Sequence, residues 1–146
     1  MEKSHCHTEG CWVSLILRLA IASLFVGAVV PKFMGGIGGT VTGFQALFKG
    51  SWLPMPLVTL HARLVPWIEL LLPVWLVVGY RLRYAWILAG LFLTTLGFGM
   101  IVAGKGDVAA QNFTYVLISC AGLYFSEFDG LSVDTLGKKG TCCSGQ

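Results

Sequence analysis

Permanent charges stand inside stretches of this sequence that are otherwise apolar. Arg18 and Lys32 lie near the two ends of "LRLAIASLFVGAVVPKF", Leu17 to Phe33, and Glu69 is the only acidic residue inside any of the long apolar runs. Cations and carboxylates in such surroundings are costly unless they pair or face an interior, so each marks a functional or architectural site. On a helix, Arg18 and Lys32 are 14 positions apart and return to within about 40° of one another, with Ala22, Phe25 and Val29 between them. The first run therefore has one charged face. Counted from the ends of their runs, Arg18 starts ~9 Å deep and Glu69 ~14 Å deep, a gap that a guanidinium stem spans. The expected ion pair is Arg18 with Glu69. Lys32 is then expected near His61 and Arg63 at the opposite mouth, placed to meet an anionic headgroup or substrate, or snorkelling to the surface.

A second group of reactive side chains occupies the tails. "SHCHTEGC" and "GTCC" supply His5, Cys6, His7, Cys11, Cys142 and Cys143. Thiolates and imidazoles of this kind hold zinc, copper or iron, exchange sulfur with a docked partner, or remain reduced thiols on loose tails. The spacing lacks the paired two-residue separation of strong zinc motifs, so all three readings stand. Cys120 is expected to be a small packing residue.

The elements that must carry these groups follow from composition. The chain has 146 residues, 55% hydrophobic and 12% charged, with a mean hydropathy of +0.76. Such a chain lacks the polar residues to cover a water-facing surface, and the bilayer is its solvent. Four stretches have spanning length: Trp12 to Met34, Leu60 to Val78, Ala85 to Val102, and Val108 to Phe125. The expected fold is all-α, a transmembrane four-helix bundle with an interfacial segment, Gly35 to Pro56, between the first and second spans. That segment carries Phe44, Leu47, Phe48 and Trp52 toward one face.

Pro66 and Pro73 are tolerated in a membrane bundle and are expected to kink the second span. Gly90, Thr94 and Gly97 give the third span a small-residue face for close helix approach. Asn112, Tyr115, Ser119 and Gly122 give the fourth a polar stripe suited to bonding between helices. The division is a Cys/His-containing tail over 1–11, a four-span domain over 12–125, and a C-terminal tail over 126–146. Lys3, Arg81, Arg83, Lys138 and Lys139 share one side against Lys49 and Lys105 on the other, which puts both tails in the cytoplasm. Trp12, Tyr80, Tyr84, Trp86 and Tyr124 are then expected in the aromatic belt on that side.

Net charge is +3, and the basic residues form no run interleaved with aromatics, so nucleic acid is not a partner. "GGIGG" follows no strand and cradles no phosphate. A haem attachment sequence and a nucleophile-base constellation are also missing.

The pattern resembles the DoxX family of small four-helix membrane proteins. The likeness runs from Arg18 to Leu136. It is carried by Arg18, Gly27 and Lys32 in the first span, by "IELLLPVWLVVGYRLRYA" with its Glu69 in the second, and by the Ser-x-Asp ending "GLSVDTL". The resemblance carries Arg18, Lys32, Glu69 and Asp134 over as family residues. It implies a membrane subunit or scaffold of a redox complex, linked to quinone or sulfur-compound oxidation in the inner or cytoplasmic membrane. Two other readings compete with it. One is a stand-alone membrane oxidoreductase binding quinone in a groove near Glu69, His61 and Asn112; the other is an assembly factor or small transporter.

Overall fold

The computed structural model describes the backbone of residues 3–128 and the side chains of 9–127. All of its regular structure is helical: α1 (Lys3–Met34), α2 (Gly36–Leu47), α3 (Met55–Val78), α4 (Leu82–Val102), α5 (Gly106–Phe125), and a closing 3-10 turn (Ser126–Phe128). Four of these are long and apolar enough to cross a membrane, namely Glu9–Met34 of α1 together with α3, α4 and α5. The all-α spanning bundle expected from composition is the observed fold. Helix α1 begins well before Trp12, so the N-terminal boundary expected at residue 12 falls inside a continuous helix.

Packing closes the spans into a ring. Helix α4 makes its most extensive contact with α5, and α1 with α3; α1 against α5 and α3 against α4 complete the circuit. Short turns at 79–81 and 103–105 force α3, α4 and α5 to run alternately up and down. Gly79 makes the first turn possible: at φ 73° it adopts the left-handed conformation that closes α3, and its N–H donates to the Trp75 carbonyl at 3.0 Å.

The core contains Ile21, Phe25, Leu72, Leu76, Trp86 and Leu93, drawn from α1, α3 and α4. Ile16, Leu71, Leu91 and Leu117, one from each spanning helix, point outward and are exposed. This is the arrangement a bilayer requires, with apolar side chains on both the inside and the outside of the ring. Helix α3 stays helical through Pro66 and Pro73, both of which are buried on its inner face.

Helix α2 is a short brace, packed mainly on α3 and also touching α1. Gln45 donates to the Thr59 hydroxyl at 3.0 Å, and Phe44 stacks on Phe48 at 6.2 Å. The apolar face expected here is present as far as Phe48. Trp52 departs from it, because the helix ends at Leu47 and the tryptophan stands exposed on the following loop.

Three other expectations need correction. Trp86 is no interfacial aromatic: it is fully buried against α5, unlike the exposed Trp12, Tyr80, Tyr84 and Tyr124. Cys120 faces outward on α5 instead of filling the interior. Thr94 is exposed and bonds back to the Gly90 carbonyl at 2.8 Å, so the close-packed face of α4 consists of Gly90 and Gly97 without it.

Candidate functional site: an intramembrane charge face and a cavity beside it

The charged face of α1 exists as the helical phase predicts. Ser14, Arg18, Ile21, Ala22, Phe25 and Val29 are all buried, and Lys32 is half-buried at its far end. The partners differ from those expected. The Lys32 ammonium donates to both Glu69 carboxylate oxygens at 2.5 Å. The carboxylate is sealed, with 3% of its side chain exposed against 24% for the lysine. Arg18 instead donates from Nε to the Leu76 carbonyl at 2.8 Å and from an Nη to the Val77 carbonyl at 2.7 Å.

The correction has a simple cause. Counting residues locates Cα atoms, but side chains on a helix lean toward its N-terminus. Helices α1 and α3 run in opposite directions, as the two sets of contacts require. Lys32 and Glu69 therefore lean toward each other, while Arg18 leans away from mid-membrane toward the last turn of α3. Carbonyls in a last turn have no intrahelical donors and carry the negative end of the helix dipole. Leu76 and Val77 thus offer a permanent cation what a carboxylate would.

The other candidates are not gathered around this face. Asn112 donates to the Val108 carbonyl of its own helix at 2.9 Å and packs beside Gly97. The polar stripe of α5 behaves likewise: Ser119 Oγ donates to the Tyr115 carbonyl at 2.9 Å, and Gln111 to the Tyr115 hydroxyl at 2.9 Å. These bonds run along α5 and not across to another helix, contrary to expectation. What joins α5 to α4 is close approach. A Cβ on Gly122 would overlap the Trp86 ring, and one on Gly97 would press on Phe113 and Asn112 at 3.3–3.4 Å. Both glycines stand out in the sequence as small residues, whereas the tryptophan, 36 positions before Gly122, carries no local sign of its destination.

His61 faces a different space. A cavity of about 230 Å³ lies between α2, α3 and α4, lined by Phe44, Phe48, Leu53, Leu57, Val58, His61, Thr95, Phe98 and Gly99. His61 meets the Phe44 ring edge-on at 6.5 Å. Arg63 is exposed and absent from the lining. Of the three residues expected around a quinone groove, His61 lines this cavity, whereas Glu69 and Asn112 do not.

Cys11 is half-buried, with a free thiol. Among the described residues no three His, Cys, Asp or Glu side chains come together as a metal-binding group. The side chains of His5, Cys6 and His7, and residues Asp134, Cys142 and Cys143, lie outside the described residues.

No curated protein and no solved structure matches the chain significantly. A family match does exist, and it covers residues 13–104, taking in the charged face of α1, Glu69 and the whole lining of the cavity. The match takes in more than half of the chain and its first three spans, and by it this chain, a four-span helical membrane bundle, belongs to the DoxX family.

Proposed function

We propose that this protein is an integral membrane subunit, or scaffold, of a redox complex engaged in quinone or sulfur-compound oxidation, and that α5 is the face it offers to its partner. The observation that carries this reading is a mismatch on α5. It is the least apolar of the spans together with the least buried: its most apolar 18 residues have a mean hydropathy of 1.2 with 17% of them buried, against 2.4 and 33% for α1. A helix left to face lipid should be the more apolar one. Its outward surface carries Gly106, Ala110 and Thr114 one turn apart, beside Gln111 and Cys120. Small and weakly polar residues at that spacing let the backbone of a second membrane helix come close.

The charge face supports the same reading. Lys32, Glu69 and Arg18 are engaged by internal partners, which suits a bundle that holds its shape and leaves the redox chemistry to a companion. The distribution of basic residues supports an orientation in the inner or cytoplasmic membrane with both tails cytoplasmic. Thiol labelling from each side of sealed vesicles checks that orientation.

Extraction from the native membrane in mild detergent tests the whole proposal. A membrane-embedded redox partner is expected to co-purify, and Ala110→Leu is expected to reduce its retention at least tenfold while leaving the thermal stability of the isolated chain unchanged. Retention unaffected by Ala110→Leu would remove α5 as the face. Quinone reduction persisting in the stripped chain would overturn the subunit reading.

A further inference from the structure

We infer that the cavity between α2, α3 and α4 is a binding site for an uncharged, lipid-soluble ring bearing a hydroxyl group, a ligand of the phenol class, with His61 as its hydrogen-bond partner. The inference does not depend on the redox reading above.

Three features of the cavity select that chemistry. The walls are aromatic and aliphatic: Phe44 and Phe48 stack at 6.2 Å with their planes 19° apart, and Phe98, Leu57 and Val58 complete the surface. Gly99 leaves room between α4 and the Phe48 ring, since even a Cβ there would lie 3.4 Å from it. A charged ligand would lose its hydration against such walls with no opposite charge among the lining side chains to compensate.

The polar groups are few and complementary. Thr95 Oγ1 already donates to the Phe92 carbonyl at 2.7 Å, so toward the cavity it can only accept. The His61 side chain makes no hydrogen bond to any described residue, and a neutral imidazole has one donor and one acceptor. An alkyl chain would satisfy neither group, and a ketone would leave Thr95 without a donor. A ring hydroxyl both donates and accepts. The cavity opens on the outer surface of the bundle, where the lining residues Leu57 and Phe98 are exposed.

The test uses the full chain in lipid nanodiscs with a photoreactive alkylphenol, and mass spectrometry to locate the labelled residues. Labelling is expected on cavity residues such as Leu53 and the buried Val58. An unlabelled alkylphenol should compete at a concentration at least tenfold lower than the matched alkylbenzene, which lacks the oxygen. His61→Phe keeps the ring shape and should abolish that advantage; His61→Gln, which restores a donor and an acceptor, should keep most of it. Equal competition by the two compounds would overturn the inference, as would labelling confined to outward residues such as Leu71 and Leu91. An advantage that survives His61→Phe would overturn it too. Should His61→Phe fail to fold, the competition measured on the unaltered chain still decides.

Discussion

The bundle has two principal seams, α1 with α3 and α4 with α5, and they cohere by different means. The α1–α3 seam is charged: Lys32 meets Glu69, and Arg18 meets the terminal carbonyls of α3. The α4–α5 seam contains no charged side chain at its points of closest approach and relies on Gly97 and Gly122 bringing backbone against side chain. In lipid, the hydrophobic effect does not separate a helix from its surroundings, so specificity must come from polar contacts or from close packing. This protein uses one in each seam. Polar contact fixes which residues meet, whereas close packing fixes how near the axes come.

That contrast orders the expected effects of substitution. Glu69→Ala should be the most damaging, by about 3–5 kcal/mol, since it strips a half-buried ammonium of its counter-ion. Denaturant titration in mixed micelles measures it, and Lys32→Ala added to Glu69→Ala should recover part of the loss. A double variant no better than the sum of the singles would mean that the pair is not coupled. Arg18→Ala should follow, at about 1.5–3 kcal/mol, through the loss of charge-assisted bonds to the Leu76 and Val77 carbonyls.

In the other seam, Gly122→Ala should cost about 1–3 kcal/mol by driving a methyl group into the fully buried Trp86 ring. Its signature should be a changed tryptophan emission together with reduced stability. If Gly122→Ala proves costlier than Glu69→Ala, packing and not charge dominates the bundle. The finest test is additivity. Arg18→Ala and Glu69→Ala act on separate partners, so their combined effect should match the sum to within about 0.5 kcal/mol. A larger departure would restore the direct pairing that residue counting suggests.

Much of the architecture is legible in the sequence. Length and hydropathy locate four spans, and the helical phase correctly buries Ala22, Phe25 and Val29 between the two cations. Gly90 and Gly97 were legible as a packing face, because small residues one or two turns apart have few other uses in a membrane helix. The partners were not legible. Depth counted along the axis ignores the lean of the side chains, and that lean decides between Arg18 and Lys32 as the companion of Glu69.

Trp86 misled for a related reason. An aromatic residue near the end of a span looks interfacial, and only the missing side chain of Gly122 in a different helix makes room for it inside. The cavity was half visible: His61 stood out by type, but its walls come from three helices whose mutual approach has no trace in local spacing.

The charged seam also imposes an order in time. Lys32 joins Glu69 across 37 positions, and Arg18 joins Leu76 across 58. At a synthesis rate of ~5–20 residues per second, α1 precedes its partners by several seconds. During that interval two cations of the first span have no neutralising companion from the chain that follows. The hold of α1 on the bilayer should therefore tighten once α3 arrives, and a chain truncated before α3 should be extracted from membranes more readily than one that includes it.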